Sequence, residues 1–398
     1  MSTQNLQFQD EKLAYVRKEL GVIDDVIAIN AGSWGPMCRA ALDKVKQVYD
    51  DDYVARVSAP DGYYQGHYTT DLENDRAEVG RFLNCSSGEV GLCESSTSAM
   101  NIFLWGVDYE PGDEIVAGSL ENPAAGVPLW VVAKRRKLKL TFADQGNGEK
   151  DATQAIQNAI STKTKLILIS HVSFANGNRI DLKSIARLAH EKGALVIVDG
   201  IQAVGTGKVD VKATEVDGYA MARHKFLVGP DGAGALYVKK EVIEQVNPTF
   251  TGVFSDAGHG MTGKLDVMKT AQRYEVSTRP IPVFVAGTAC LKWLDGKVGW
   301  DYIYESTYRN RNKLWSLLNE VKGVTMISLP NQESGLVTFA INGVEPLEAV
   351  NRFKKARIAC RTIIVTKPNG IRVSVGFWNR QSDLEAIARE AKTIASSS

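Results

Sequence analysis

Two short runs, TKLILISHVS (residues 164–173) and ALVIVDG (194–200), are apolar at almost every position. Between them DLKSIARLAHEKG (181–193) carries its apolar residues at helical spacing. A strand that is apolar on both sides must be covered on both faces, and two such strands joined by a helix run parallel. The same alternation fills residues 75–240. DLENDRAEVGRFLNC reads as a helix and SSTSAMNIFLWGVDY as a second one opening on hydroxyls. DEIVAGSL is a strand, GVPLWVVAKRRK a helix, LKLTFAD a strand and DATQAIQNAIS a helix. The expected class is α/β: a large, mainly parallel sheet with helices on both faces. Ligands in such sheets collect at the carboxyl ends of the strands.

Beyond residue 285 the texture changes. A long helical stretch from Phe284 to Val321 leads into VTMISLP, GLVTFAING, ARIACRTIIV and GIRVSVGFWN, and DLEAIAREAKTIA closes the chain. That pattern suits a smaller α+β domain. The 398 residues exceed one ordinary core, so the expected division is an N-terminal segment 1–30 against the small domain, a large domain 31–285 and a small domain 286–398.

Composition narrows the partners. With 47 basic against 46 acidic residues the net charge is +1, which gives no footing for nucleic acid. No apolar run approaches the roughly 20 residues that span a bilayer, and the polar N-terminus has no signal-peptide core. The five cysteines, Cys38, Cys85, Cys93, Cys290 and Cys360, are scattered. No disulfide framework or metal site is expected, and the expected compartment is reducing, that is, cytoplasmic.

The motif that bears on chemistry is YAMARHKFLVGPDGAGALYV (219–238), in which Lys225 follows a histidine and precedes a glycine-rich loop. A dinucleotide fingerprint would have to open a helix, but GPDGAG runs into the strand pattern ALYV, and there is no G-x-x-x-x-G-K-[ST] loop. Three other features reinforce the lysine. CESSTSAMN places Ser95, Ser96, Thr97 and Ser98 at a helix start, which can cap the helix or receive a phosphate. VDGIQAVG ends a buried strand on Asp199 with Gln202 close behind, a carboxylate suited to a protonated ring nitrogen. An amine partly desolvated at a strand end loses proton affinity and becomes a Schiff-base former. Phosphate cradle, carboxylate and amine are the parts that hold pyridoxal phosphate.

On these residues, VDGIQAVG followed by HKFLVGPDGAGALYV, the chain resembles the class V aminotransferase family of fold-type I pyridoxal-phosphate (PLP) enzymes, from INAGSWGP to IRVSVGFWN. That family includes cysteine desulfurases, cystine C–S lyases and isopenicillin N epimerase-like proteins. The resemblance implies that Lys225 carries the cofactor, Asp199 partners the pyridine nitrogen, and Gln202 bonds the ring 3-oxygen. Ser96, Thr97 and His224 would hold the phosphate, and Thr278 in QRYEVSTRP would reach a neighbouring subunit's phosphate, so a homodimer with shared active sites is implied. Arg372 in GIRVSV would clamp the substrate α-carboxylate with its planar fork.

Four departures stand beside those matches. Asn122, in SLENPAAG, replaces the histidine that relatives stack on the cofactor ring, and could bond substrate or cofactor instead. Ala222 and Arg223 replace a hydroxyl residue and glycine; Arg223 could bind phosphate, meet an acidic substrate group or lie solvated on the strand. The loop after Arg361 has no cysteine, and Cys360 reads as a buried residue, which disfavours persulfide formation. Arg279 adds a cation that could recognise a second carboxylate. His67, His171 and Asn176 are further pocket candidates, each with a plain packing alternative, and His259 has no assignable role.

The expected function is therefore a PLP-dependent enzyme acting on a small amino acid through an external aldimine, with β-elimination of the C–S lyase type and no catalytic cysteine. Epimerisation or racemisation and transamination are the alternatives within the family. An inactive binding module on the same fold is the alternative outside it, and a nicotinamide oxidoreductase is more remote.

Overall fold

A computed structural model describes residues 3–22, 25–58 and 69–397. The buried runs seen in the sequence form one seven-stranded sheet. Its strands are β1 (Val90–Cys93), β2 (Glu114–Gly118), β3 (Lys139–Ala143), β4 (Thr164–Ser170), β5 (Leu195–Asp199), β6 (Gly218–Ala222) and β7 (Gly234–Val238). The order is β1-β7-β6-β5-β4-β2-β3. The β3, β2, β4, β5 and β6 neighbours pair in parallel, and only β7 runs against β6 and β1.

Alternate residues of each strand enter two different cores, as the pleat requires. Val116, Ile167, Ile169, Val196, Val198, Tyr219 and Met221 face one; Ile115, Ala117, Leu166, Leu168, Ile197 and Ala220 face the other. Helices close both faces. On the first are α1 (Thr3–Glu19), α2 (Arg39–Ser58) and α3 (Leu72–Leu83), and on the second α4 (Ser96–Gly106) and α5 (Pro123–Arg136). The first face is completed by α6 (Ala152–Ala159), α7 (Leu182–His190) and, after the short turn α8 (Val211–Thr214), by α9 (Ile281–Trp293). The expected mainly parallel sheet covered on both sides is what forms, and the fold is the fold-type I one.

A hairpin of β8 (Asp256–His259) and β9 (Leu265–Val267) stands apart, with His259 two-thirds exposed and paired with Asp256. The C-terminal part has a second sheet, ordered β10-β11-β13-β12, from β10 (Val324–Met326), β11 (Leu336–Ile341), β12 (Arg361–Ile363) and β13 (Gly370–Ser374). It packs with α10 (Trp300–Asn319), α11 (Pro346–Lys355) and α12 (Gln381–Ser396) around a third core.

Two expectations change in detail. The single long helical stretch is two helices, because Gly299 stands between them at φ +87°, a conformation side chains resist. Within ARIACRTIIV only Arg361–Ile363 pairs as strand, so Cys360 precedes β12 and is partly rather than fully buried. The segment before α2 crosses between the sheets: Ile27 bridges to Ile358 and Asn30 to Ser374. That crossing brings residues 32–36 over the carboxyl ends of β5 and β6.

Candidate active site

Lys225 sits in the turn that follows β6. The Gly229 amide donates to Arg223 O at 2.9 Å and the Val228 amide to Lys225 O at 3.1 Å. Val228 is held at φ +49°, in the left-handed region that a β-branched residue normally avoids. The crossing segment clamps this turn: Gly35 N donates to His224 O at 2.8 Å and Cys38 N to Val228 O at 2.9 Å. A Cβ on Gly35 would stand 1.9 Å from Lys225 O, so only glycine lets the two backbones pass so closely. Burial pulls the Lys225 amine down to about 8; Asp199 opposes the shift, and Arg372 and Arg361 add to it.

Asp199 is the last residue of β5 and is buried. Its Oδ1 accepts from the Ile201 amide at 3.1 Å, which leaves Oδ2 for a second donor. Burial raises its pKa and Lys225 lowers it. Gln202 Nε2 donates to Gly32 O at 2.9 Å, while its buried Oε1 has no partner among the described residues. Ser96 and Thr97 open α4 after the cap Ser95, whose hydroxyl accepts from Ser98 N at 3.1 Å. First-turn amides have no intrahelical acceptor, so this end of α4 is suited to an anion. The His224 ring lies 5.6 Å from that of Trp34, and burial, then Lys225, pull its pKa down to about 4, which leaves it neutral.

Arg372 enters from β13. It is fully buried, with Nη1 donating to Phe174 O at 2.8 Å and Nη2 to Ser33 Oγ at 3.3 Å; its Nε has no partner among the described residues. Arg361, its cross-strand neighbour, reaches the same Ser33 hydroxyl at 3.5 Å. Burial, then Arg361, pull the pKa of Arg372 down to about 9, the mark of a cation enclosed without an anion. Gly32 permits this approach: a Cβ there would lie 2.8 Å from Arg372 Nη2.

Other candidates fall elsewhere. Asn122 caps α5, its Oδ1 accepting from Ala124 N at 2.8 Å, so its oxygen already serves the helix start. Arg223 does not reach the phosphate end. Its side chain turns into the core and forms a bidentate pair with Asp75, at 2.8 and 2.7 Å, because Gly287 leaves room for the guanidinium. Asn176 is also drawn into structure. It is fully buried, donates to Asn147 O and accepts from Asn178 N at 3.0 Å, which ties two loops together at the edge of a cavity of about 300 Å³. Arg279 is held by Leu92 O and Glu275. Thr278 is exposed and lines a cavity of about 370 Å³ with Ser98 and Asn101 of α4. His171 lies beneath the site, with Nδ1 2.9 Å from Tyr219 Oη and burial pulling its pKa well down. His67 lies outside the described residues.

Ser33, Trp34 and Phe174 were not singled out in the sequence. The signal available was INAGSWGP, where Gly32 and Gly35 bracket Ser33 and Trp34; its glycines mark a backbone pressed against other chain segments.

The aminotransferase class-V family model matches residues 31–387. The chain belongs to the aminotransferase class-V family. Among its relatives, a probable cysteine desulfurase of Halalkalibacterium halodurans is 30% identical, over 85% of this chain and 87% of that one. A probable cysteine desulfurase of Methanothermobacter thermautotrophicus is 24% identical over 96% and 97%. Among solved structures, the cystine C–S lyase C-DES in complex with its reaction product, cysteine persulfide, superposes with a TM-score of 0.85 at 24% identity, over 94% of this chain and 99% of that one. A lysine-to-alanine mutant of C-DES has glycine covalently linked to its PLP cofactor (TM-score 0.86, 24% identity, 94% and 98% covered). Class-V membership settles the family and the fold. Among the described residues no cluster could hold a metal, and no helix is long and apolar enough to cross a membrane.

Proposed function

We propose that this chain is a PLP-dependent lyase that breaks a C–S bond in an amino acid by β-elimination, without a catalytic cysteine. The observation that carries the reading is Lys225 beside Asp199, an amine with its pKa drawn down to about 8 next to a buried carboxylate. The donor set fits the cofactor. Gln202 Oε1 is a buried acceptor with no donor among the described residues, and α4 begins with the Ser96 and Thr97 amides and hydroxyls. Lys225 would hold PLP covalently, Asp199 would face its ring nitrogen, and Ser96, Thr97 and His224 its phosphate. Bound there, PLP supplies an electron sink for charge developing at the substrate α-carbon.

The remaining work falls to the chain. Arg372, supported by Ser33, binds the α-carboxylate, since its buried fork lacks an anion of its own. Lys225 Nζ takes the α-proton, and an amine near pH 8 is matched to that task at neutral pH. Asp199 keeps a positive charge favourable at the ring nitrogen. Cys360 stands before β12 with its thiol pushed up to about 12 by burial, and residues 364–369 contain no cysteine. A persulfide-accepting thiolate is therefore lacking there, and the sulfur leaves with the product. The working form is a homodimer, in which Thr278 and the exposed apolar Phe250 and Val253 meet the neighbouring copy.

The test is the visible spectrum of purified protein, followed by borohydride reduction and peptide mapping, with Lys225→Ala alongside. The expected result is an absorbing covalent adduct on Lys225, absent from the variant, with pyruvate and ammonia released from cystine. No adduct after incubation with PLP would sink the enzyme reading. An adduct without elimination would move the substrate or the outcome of the reaction elsewhere in the family.

A further inference from the structure

Trp34 has no part in the chemistry above, although it stands on the stretch of backbone that joins the two halves of the site. On one side its neighbour is Ser33, whose hydroxyl lies 3.3 Å from Arg372 Nη2 and 3.5 Å from Arg361 Nη1. On the other side is Gly35, which packs against Lys225 O and whose amide donates to His224 O at 2.8 Å. The residue held between the arginines and the lysine is therefore a tryptophan. Asn30 O fixes the bend, accepting from the Ser33 and Trp34 amides at 2.8 and 3.0 Å. The indole leans on the His224 ring, with centroids 5.6 Å apart and planes at 45°.

For all that anchorage, Trp34 is 67% exposed, whereas Trp378 is fully buried in the first core. A large apolar ring left in water beside a cleft is surface that a ligand can cover. More apolar surface adjoins the arginines from another segment. Arg361 opens β12, and Ile364 and Val365, which follow that strand, are 76% and 40% exposed. Ile363 before them faces inward, packed with Phe174, whose carbonyl holds Arg372.

Arg361 and Arg372 are cross-strand neighbours that reach one and the same hydroxyl, so both address the carboxylate end of a bound amino acid. The apolar rim is left for its other end. A cysteine side chain stops at its thiol and leaves that rim in water. A substituent on the sulfur extends onto it, and a flat group gains most, because rings stack on an indole and sulfur packs well beside one.

We propose that Trp34 determines specificity and that the substrate is an S-substituted cysteine, its flat apolar substituent lying on the indole. The inference rests on the C–S lyase reading. In that reaction Lys225 takes the α-proton, the Cβ–S bond breaks with its electron pair going to sulfur, and one water is consumed. The products are a thiol, pyruvate and ammonia.

The test pairs kinetics with fluorescence on the holoprotein. Trp34→Ala should lower kcat/KM for S-phenylcysteine about tenfold, the worth of an aromatic contact, and lower it less for free cysteine. Dividing variant by wild type for each substrate removes the difference between leaving groups. Trp34→Phe keeps a flat ring and should recover most of the loss. Independently of turnover, S-(4-nitrophenyl)cysteine should quench more indole emission in the wild type than in Trp34→Phe, since a nitroaryl group quenches a ring it touches. Equal losses for the two substrates, or equal quenching in the two proteins, overturn the proposal; equal losses together with dissociation of the dimer would make Trp34 a subunit contact instead. Should no cysteine derivative be cleaved, the lyase reading fails, and the fluorescence difference still decides whether Trp34 meets the substituent.

Discussion

Arg223 and Arg372 are both fully buried, and they are opposites. Arg223 spends its fork on Asp75, which also accepts from Thr288 Oγ1 at 2.6 Å, so one cation, one anion and one hydroxyl close on themselves. Among the described residues Arg372 meets a backbone carbonyl and the Ser33 hydroxyl, with a second arginine beside it. The first pocket is finished by the protein. The second has a charge deficit that a carboxylate would fill. Enclosing a cation is costly unless it is paired, so an unpaired buried arginine at a cleft marks where a ligand anion completes the structure.

The largest effect should come from breaking the closed pair. Arg223→Met strands Asp75 in the core, and removing one partner of a buried pair costs about 3–5 kcal/mol. Chemical denaturation should show a midpoint shift of that order, and Arg223→Met combined with Asp75→Leu should recover most of it. If Arg223→Met is no less stable than the wild type, the pair is not the closed unit described here.

Arg372→Met should do the reverse. No carboxylate is stranded, so folding stability should hold or rise. Binding of substrate carboxylate should weaken by about 1.5–3 kcal/mol, on the order of ten- to a hundredfold in KM, the worth of a hydrogen bond to a charged group. A variant that loses stability and keeps its KM would make Arg372 a second Arg223.

The same pair explains what could be read from the sequence. The sheet, the strand ends and the order of Ser96, Asp199 and Lys225 followed from apolar periodicity and motif spacing, since those depend on neighbours along the chain. What each arginine touches depends on partners far away: Asp75 is 148 residues from Arg223, and Phe174 is 198 from Arg372. Arg223 borders the lysine motif, so proximity in sequence suggested a phosphate contact, but its side chain leaves β6 towards the opposite side. The contacts of Asn176 were equally out of reach, because the Asn147 carbonyl that its amide meets is 29 residues away. Ser33 and Trp34 were hidden for the converse reason, being far from the motif and delivered to it by a crossing segment.

The smallest expected effect tests whether the open pocket's charge reaches Lys225. In cofactor-free protein the folded-state pKa of this amine is drawn down to about 8, below its unfolded value. Between those two values the unfolded chain binds the proton and the folded chain does not. Stability then rises with pH across that window and is flat with respect to this group below it. The rise should be the part of the wild-type profile that vanishes in Lys225→Ala. Arg372 contributes to the lowering, so Arg372→Met should raise the lower edge of the window and shrink the gain, whereas a destabilised Arg223→Met should keep the slope unchanged. Denaturant midpoints measured at half-unit pH steps would separate these outcomes. An identical slope in Arg372→Met would mean that the open pocket is electrically remote from the lysine, and the contrast between the two arginines would then be one of packing alone.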